Sequence, residues 1–306
     1  MYTDYDVIVI GSGPAGLAAG IYTSRAGFST LILEKGNMGG ELMNRQAIEN
    51  YPGFAEGIQG PELGSAMLGQ AVNAGAEVQV GEAVSITDKK NFKIVKTDEQ
   101  TLTCKGIILA TGSHPRKLGI PGEAELAEKG VFYCATCDGP QLAGKDVVVA
   151  GAGDSGITEA LHLGRLGCRV LIIEFMPKPN ASMVLLERAE ANPNIDIICN
   201  TEIKSIAGED WVTGVDIEDR ETGERRALDI GGVLVRIGML PNTEFARNIM
   251  ALEPDGRVPV DGTMQTPVPG IFAAGDIRSN SPAQIGAAVG DGVCAAMALG
   301  RYLNTL

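Results

Sequence analysis

Two cysteines separated by two residues have the types and spacing for chemistry. Cys134 and Cys137 are followed directly by Asp138. A disulfide between them would stabilise the fold little, because loop-closure entropy grows with loop length. A zinc site would need two more ligands, but the chain has no second C-x-x-C motif and its histidines, His114 and His162, are far away in sequence. The pattern therefore favours a redox-active dithiol with an acid beside it.

Length, composition and charge narrow the class of protein that carries this pair. A chain of 306 residues is long enough for two domains of ordinary size. Forty-one glycines with only 5% aromatic residues suit a nucleotide-binding α/β protein with tight turns near phosphates, although a loop-rich protein would share that composition. The net charge of −13 argues against nucleic acid or an anionic membrane as a partner.

The N-terminal segment and the other cysteines indicate where the protein works. The chain runs from Met1 into an apolar strand too short to span a membrane, without a basic leader. We therefore expect a soluble, cytoplasmic protein. Cys104, Cys168, Cys199 and Cys294 lie in apolar runs and are predicted to be unreactive core thiols.

A glycine-rich turn between two apolar strands begins the chain. A strand is predicted over 6–10, followed by Gly11-Ser-Gly-Pro-Ala-Gly16, a helix through about Arg25, and a strand over 29–34 that ends at Glu34. This is a dinucleotide-binding fingerprint in its full context. Its glycines let the backbone approach a pyrophosphate, and the helix N-terminus supplies the positive end of a dipole. Glu34 is placed to accept hydrogen bonds from ribose hydroxyls.

The same unit recurs in the middle of the chain. A strand over 146–150 precedes Gly151-Ala-Gly-Asp-Ser-Gly156, a helix through about Arg165 and a strand that ends at Glu174. Glu174 follows Gly151 by 23 residues, the interval by which Glu34 follows Gly11. The repeat predicts an α/β fold with two Rossmann-like (three-layer ββα) dinucleotide-binding domains.

The remaining pattern predicts how the two domains share the chain. Short alternating strands are predicted over 77–105 and 195–237, buried strands over 106–112, 232–238 and 267–276, and a helix from Gln284 to about Leu303. The second domain, 115–241, is predicted to be inserted in the first, which comprises 1–114 and 242–306.

Several longer motifs are specific enough to indicate a family. They are Gly11–Gly16, Glu49–Phe54 (ENYPGF), Ala110–Arg116 (ATGSHPR), Gly119–Glu123 (GIPGE), Cys134–Asp138 (CATCD), Pro241–Thr243 (PNT) and Met264–Asp276 (MQTPVPGIFAAGD). With these motifs, and over about residues 4–304, the chain resembles the low-molecular-weight thioredoxin reductases.

The resemblance implies cofactors, partners and residue roles. FAD would lie in the first domain, a nicotinamide nucleotide in the second, and the functional unit would be a homodimer that reduces thioredoxin. Cys137 would be the thiol next to the flavin, Cys134 the one that attacks the protein substrate, and Asp138 the proton donor, with no metal. The residues implied for FAD are Gly11, Ser12, Gly13, Pro14, Ala15, Gly16, Glu34, Lys35, Gly40, Glu41, Leu42, Asn50, Ala110, Thr111, Gly112, Gly275, Asp276, Gln284 and Ile285. Those implied for the nicotinamide nucleotide are Gly151, Gly153, Asp154, Ser155, Gly156 and Glu174.

The second fingerprint departs from the family pattern. NADPH-using members carry His-Arg-Arg after its second strand and another Arg four residues on, where this chain has Glu174, Phe175, Met176 and Asn180. A charge-assisted hydrogen bond contributes about 1.5–3 kcal/mol, so losing two would weaken binding of a 2′-phosphate by roughly 10² or more. Lys178 is the only cation nearby in sequence. We therefore expect NADH rather than NADPH, with NADPH bound through an altered contact, or reduced ferredoxin, as alternatives.

The residues after the dithiol leave its partner and two other functions open. Residues 139–142 contain no aromatic side chain, which the family usually has there, so the partner is thioredoxin or another thioredoxin-like redox protein. A ferredoxin–NAD(P) reductase of the same fold is a second interpretation, but that type lacks a dithiol. An FAD-binding redox sensor without turnover is a third.

Overall fold

The computed structural model describes residues 2–45 and 48–306, and for Thr136 and Cys137 it describes the helical backbone alone. The strands are β1 (Tyr5–Ile10), β2 (Thr30–Glu34), β3 (Glu77–Val80), β4 (Ala83–Asp88), β5 (Lys93–Thr97), β6 (Thr101–Leu109), β7 (Ser113–Pro115), β8 (Val131–Phe132), β9 (Asp146–Ala150), β10 (Arg169–Ile173), β11 (Ile195–Ile198), β12 (Thr201–Gly208), β13 (Val212–Asp219), β14 (Arg225–Asp229), β15 (Gly232–Val235), β16 (Met239–Pro241) and β17 (Ile271–Ala273). The α-helices are α1 (Pro14–Arg25), α2 (Gly60–Asn73), α3 (Ala135–Leu142), α4 (Asp154–Arg165), α5 (Met183–Glu190) and α6 (Ile285–Leu303).

One unit comprises Met1–His114 and Leu240–Leu306. Its main sheet has the order β3-β2-β1-β6-β5-β4, with β17 also beside β6. The strands β3, β2, β1, β6 and β17 pair in parallel, whereas β5 and β4 continue the sheet antiparallel. Since both faces of β1 are covered, its run of Val and Ile is buried without alternation. Helices α1, α2 and α6 contribute to the core on one face.

The other unit is Pro115–Met239. Its parallel sheet has the order β11-β10-β9-β15-β8, and a separate antiparallel sheet has the order β12-β13-β14. Odd-numbered β9 residues such as Val147 pack with α3, α4 and α5, whereas Val148 and Ala150 pack against β12 and β13. Period-two side-chain alternation therefore places helices on one face and a second sheet on the other. The predicted α/β class with a three-layer ββα arrangement is confirmed in this unit.

Three features differ from the sequence-based expectations. Helices α2, α3 and α5 were not predicted; α3 contains Gly139 and Pro140, which are poor helix formers. The strand predicted over 267–276 is limited to β17, because its two prolines cannot donate to a ladder. Cys104 and Cys168 are buried as expected, but Cys294 is exposed on α6, so the prediction of a core thiol is wrong there. Among the described helices, none is both long and apolar enough to cross a bilayer.

Candidate active site: two glycine-rich turns and a dithiol

The turn after β1 is built from three glycines with different surroundings. Gly11 has φ +106°, a conformation that side chains disfavour, and a Cβ there would overlap the carbonyl oxygen of Ala110. A Cβ on Gly16 would overlap the carbonyl oxygen of Gly11. By contrast, a Cβ on Gly13 would meet no protein atom within 4 Å. The first and third glycines are therefore needed for packing, whereas Gly13 presents bare backbone to open space at the start of α1, as a pyrophosphate requires.

Glu34 is bound to the turn that it follows in sequence. Its Oε2 accepts hydrogen bonds from the Ser12 backbone N–H at 2.8 Å and from the Ser12 hydroxyl at 2.9 Å. Its Oε1 accepts from Gly36 N–H at 2.8 Å. A carboxylate has about four acceptor positions, so one remains for a ribose hydroxyl.

Most residues implied for FAD lie at one edge of the first unit's sheet. The carboxyl ends of the parallel strands β1, β2, β6 and β17 meet there, which is where ligands bind in open α/β sheets. The backbone N–H of Ala274 donates to Leu109 O, which joins the ends of β17 and β6. The residues that the four strand ends carry to this edge are Gly11, Ser12, Gly13, Pro14, Ala15, Gly16, Glu34, Lys35, Ala110, Thr111, Gly112, Gly275 and Asp276.

Two further groups of predicted residues are tied to this unit by hydrogen bonds or packing. The side-chain amide of Asn50 donates to Gln284 Oε1 at 3.0 Å, directly before Ile285 begins α6. Gly40, Glu41 and Leu42 lie in a 3-10 helix (Gly40–Asn44), and a Cβ on Gly40 would lie 3.0 Å from Gly13 Cα. The structure thus brings Gly40 against the first turn and Asn50 against Gln284.

Two residues that sequence reasoning missed hold the segment around Asp276. Asp291, buried on α6, accepts from the Gly275 backbone N–H at 3.2 Å and from two nitrogens of Arg278 at 2.7 and 2.9 Å. Burial raises the pKa of Asp276, while Arg257 and a hydrogen bond from Ser113 oppose the shift. The second aspartate lies fifteen residues beyond the Gly-Asp motif, so no local pattern identifies it.

The turn after β9 repeats the geometry of the first. Gly151 has φ +101°, and a Cβ on it would overlap Arg236 O. A Cβ on Gly156 would overlap Gly151 O, and a Cβ on Gly153 would meet nothing within 4 Å. Asp154 and Ser155 follow in the first turn of α4, where Asp154 Oδ1 accepts from Ser182 N–H at 2.6 Å. A second open position therefore lies at the start of a helix.

Glu174 and the residues after it form the rim of this second turn. Glu174 Oε2 accepts from Ala152 N–H at 2.7 Å, and its Oε1 accepts from Met176 N–H at 2.8 Å. Ala152 replaces the serine of the first turn, so this carboxylate receives two hydrogen bonds rather than three. Phe175 and Met176, which stand where the family's arginines would be, are 47% and 54% exposed.

A cation from a distant part of the sequence lies beside this rim. The guanidinium carbon of Arg220 lies 3.5 Å from the centroid of the Phe175 ring, and its Nη1 donates to Phe175 O at 2.8 Å. Lys178 is the only cation near Glu174 in sequence, but the fold adds Arg220 to the rim. Arg220 follows β13 and is 45 residues from Phe175, so no local sequence pattern indicates this contact.

The dithiol segment lies between β8 and α3 in the second unit. Cys134 is half-buried and disulfide-bonded. Among the other cysteines, Cys104, Cys168, Cys199 and Cys294 are free. The side chain of Cys137, its predicted partner, lies outside the described residues. The described residues contain no cluster of His, Cys, Asp and Glu suited to a metal ion.

The acid next to the dithiol has a raised pKa. Burial raises the pKa of Asp138 above its ordinary value, and the carboxylates of Glu128 and Glu159 raise it further. A carboxyl that stays protonated at higher pH can donate a proton to a thiolate. In the first unit, the side chain of His114 lies 2.7 Å from Asn242 Oδ1, a contact that gives this histidine a structural partner.

The whole chain is similar in sequence and structure to known proteins. Residues 5–292 match the family described as pyridine nucleotide-disulphide oxidoreductase. The chain is 42% identical over 303 residues to a thioredoxin reductase of Bacillus subtilis (strain 168), an alignment that covers 99% of this chain and 96% of that protein. Its structure is similar to that of Lactococcus lactis thioredoxin reductase (FR conformation), with a TM-score of 0.96, 38% identity and coverage of 99% and 100%. The structure of T. acidophilum thioredoxin reductase gives a TM-score of 0.94 at 37% identity, with coverage of 98% and 99%.

Proposed function

We propose that this chain, which belongs to the pyridine nucleotide-disulphide oxidoreductase family, passes two electrons from NADH through FAD and the Cys134/Cys137 dithiol to a thioredoxin-like protein. The resemblance to the low-molecular-weight thioredoxin reductases is confirmed by relatives and solved structures that match nearly the full chain. The family implies FAD and a nicotinamide cofactor. The choice of NADH, the roles of individual residues and the identity of the protein substrate are the proposal.

One observation carries the proposal: the second unit holds a disulfide-bonded cysteine, Cys134, together with a dinucleotide-type turn. The turn has the geometry of the first unit's turn, down to the open position at Gly153. A protein that only bound FAD would need one such turn and no disulfide. Two turns and a dithiol fit a relay with a donor, a flavin and an acceptor.

FAD would be held in the first unit. Gly13 and the N-terminus of α1 would face its pyrophosphate, Glu34 its adenosine ribose, and Asp276 its ribityl chain. The cradle is consistent with this ligand, because space is open before Gly13 and one acceptor position remains on Glu34. When bound, FAD supplies a group that accepts a hydride from a nicotinamide and releases two electrons to a disulfide.

NADH is proposed as the donor because of the rim around Glu174. A carboxylate held at this strand end suits the two hydroxyls of an unphosphorylated ribose and repels a 2′-phosphate. NADPH is a second candidate, favoured by Arg220, whose guanidinium lies on the Phe175 ring and offers a cation from another element. Arg220→Ala tests this second candidate. If Arg220 binds the 2′-phosphate, the variant should slow flavin reduction by NADPH; if it does not, the rate with NADPH should be unchanged.

The dithiol would act by thiol–disulfide exchange. The Cys134 thiolate attacks the substrate disulfide, a mixed disulfide forms, and the released substrate thiolate takes a proton. The Cys137 thiolate then attacks Cys134, which frees the second substrate thiol and restores the protein disulfide. Asp138, whose pKa is raised by burial and by neighbouring carboxylates, would supply the proton to a thiolate that leaves during re-reduction.

The partner is proposed to be thioredoxin or another small thioredoxin-like protein, and the working form a homodimer. Residues 139–142, which follow the dithiol, carry no aromatic side chain for docking. Reduced ferredoxin as donor is kept as an alternative to a nicotinamide, although the intact turn at Gly151–Gly156 speaks against it.

Anaerobic stopped-flow reduction of the bound flavin by NADH, NADPH and reduced ferredoxin tests the donor. We expect flavin bleaching at far lower NADH than NADPH concentration, and the reverse order would refute the NADH proposal. Cys134→Ser tests the acceptor branch: it should abolish reduction of a thioredoxin disulfide while flavin reduction by NADH persists. Unchanged thioredoxin reduction in Cys134→Ser would refute the role of the dithiol. A parent protein that oxidises NADH with artificial acceptors but does not reduce thioredoxin would favour a diaphorase-type reductase, and no turnover in the parent protein would favour a sensor.

A further inference from the structure

A buried ion pair lies behind the dithiol segment in the second unit. Glu159 on α4 and Arg236, directly after β15, have side chains that are each 4% exposed, and Arg236 Nη2 lies 3.8 Å from Glu159 Oε1. Burying two charges costs several kcal/mol of desolvation per ion, and the pair's attraction often does no more than offset it. Stability alone therefore does not explain why the pair is there.

The pair holds the peptide groups on both sides of one cysteine. Glu159 Oε2 accepts a hydrogen bond from the Ala135 backbone N–H at 2.7 Å. Arg236 Nη1 donates to the Tyr133 backbone carbonyl at 2.9 Å. Since Tyr133 and Ala135 flank Cys134, the two charged side chains fix the backbone that carries the reactive sulfur.

The backbone of Arg236 also reaches the glycine-rich turn. Its N–H donates to Ala150 O at 2.8 Å, and its carbonyl oxygen is the atom that a Cβ on Gly151 would overlap. Glu159 lies on the helix that begins at the same turn. The pair thus connects the proposed nucleotide site to the dithiol through two rigid elements of one unit.

The charge of Glu159 acts on the groups around the dithiol. A carboxylate bound to the N–H that follows Cys134 disfavours a thiolate there. The charges that raise the pKa of Asp138 are Glu128, before β8, and Glu159. His162, one turn after Glu159, has a pKa lowered mainly by burial, and its buried Nε2 has no hydrogen-bond partner among the described residues.

We propose that Glu159, held by Arg236, is the positioning residue of the dithiol: it fixes the Cys134 backbone through the Ala135 N–H and places a buried negative charge next to the dithiol segment. This role deepens the proposed function and rests on it for its biological meaning. The effects of Glu159 on Asp138 and Cys134 can be measured without NADH, flavin turnover or thioredoxin.

The test uses Glu159→Gln in the flavin-loaded, full-length protein. Glutamine keeps an acceptor for the Ala135 N–H but removes the charge. Aspartate-selective carbon-13 NMR, with Asp138→Asn for assignment, follows the titration of Asp138. Iodoacetamide alkylation of Cys134 after reduction by excess dithiothreitol, which is itself oxidised to a cyclic disulfide, follows the thiolate.

We expect Glu159→Gln to move the Asp138 titration to lower pH and to increase Cys134 alkylation at pH 7 by about three- to tenfold, where tenfold corresponds to one pKa unit. Glu190→Gln, the same change at an exposed position on α5, should alter neither. A folded Glu159→Gln protein with both profiles unchanged would overturn the proposal, because a merely structural residue would change only the unfolding midpoint.

A second variant tests the proposal in case Glu159→Gln does not fold. Glu159→Gln with Arg236→Met removes both charges, and such whole-pair replacement is often neutral or stabilising. Because Glu159 acts on Asp138, the double variant should show the same downward shift of the Asp138 titration. Failure of both variants to fold, or a double variant with the parent's titration, would assign the pair a structural role and end the proposal.

Discussion

The carboxylate of Glu174 accepts a hydrogen bond from the backbone N–H of Ala152 at 2.7 Å, which fixes the end of β10 against the turn that precedes α4. The corresponding Glu34 of the first unit is held by both the N–H and the hydroxyl of Ser12. In each unit, a local acid is therefore positioned by the turn itself, at the strand end where we propose that a ribose binds. The two sites differ in the residues after the acid, because Glu174 is succeeded by exposed apolar side chains.

Replacing these rim residues should change the nucleotide preference. In the combined variant Glu174→His, Phe175→Arg and Met176→Arg, an anion is removed and two cations are added at the predicted 2′ position. Two charge-assisted hydrogen bonds contribute about 1.5–3 kcal/mol each, so the ratio of kcat/KM for NADPH over NADH should rise by roughly 10² or more. Glu190→Arg, which changes charge on the exposed face of α5, is the control. An unchanged ratio in the triple variant would show that this rim does not contact the ribose.

Alanine substitutions at two glycines of the second turn should affect nucleotide binding and folding separately. Gly153→Ala places a methyl group in open space at a residue with φ −83°, which alanine adopts readily. We expect the melting temperature of Gly153→Ala to match the parent's and its Kd for the nucleotide to rise. Each 1.4 kcal/mol of lost binding free energy corresponds to a rise of about tenfold in Kd. Flavin-reduction titrations measure that Kd.

Gly156→Ala is the matched variant with the opposite expectation. Its methyl group would overlap the Gly151 carbonyl oxygen, a backbone atom that cannot move without opening the turn. A core overlap of this kind costs about 1–3 kcal/mol or more, so the urea midpoint of unfolding should fall. Equal nucleotide affinity in Gly153→Ala and the parent would exclude the open position as the pyrophosphate site.

Local parts of the fold and site could be predicted from the sequence, and contacts between distant segments could not. Helices α1, α4 and α6 were placed within one or two residues, because a glycine turn or a period of apolar residues marks each. The predicted α/β class rests on the same repeat. The predicted roles of the site residues stay predictions.

Contacts made across long stretches of sequence carry no local signal. Arg220 reaches Phe175 across 45 residues, and Arg236 reaches Tyr133 across 103. Arg220 lies after a strand of the antiparallel sheet, where a charged residue is ordinary. The packing of that sheet on β10 and its neighbours brings Arg220 to the rim. Arg236 follows β15, and the pairing of β15 with β9 brings it to the second turn.

Breaking the ion pair between Arg278 and Asp291, which holds the segment around Asp276, should destabilise the first unit. Asp291→Asn would leave the part-buried Arg278 guanidinium without its carboxylate and weaken the bond to Gly275 N–H. Removing one partner of a buried pair costs about 3–5 kcal/mol, so both the urea midpoint and FAD retention should fall. In the same unit, Glu82→Gln breaks the exposed pair with Lys35, which should contribute less than about 1 kcal/mol. If the two variants unfold at the same urea concentration, the Arg278–Asp291 pair does not hold this segment.

The raised pKa of Asp276 predicts a pH-dependent stability difference in flavin-free protein. Burial is the main cause of the shift, so the folded state binds the proton more tightly than the unfolded chain does. The folded state then loses stability as pH rises from the unfolded pKa of about 3.9 through the folded value, and the penalty is complete above it. Asp276→Asn carries no such charge and should therefore melt at a higher temperature than the parent at pH 7, with the difference shrinking as pH falls toward about 4. Thermal melts of flavin-free parent, Asp276→Asn and the exposed control Asp210→Asn across this pH range measure it. A parent that melts at or above Asp276→Asn at pH 7 would mean that an unidentified partner stabilises the ionised carboxylate, and that Asp276 is not a buried acid kept for a cofactor.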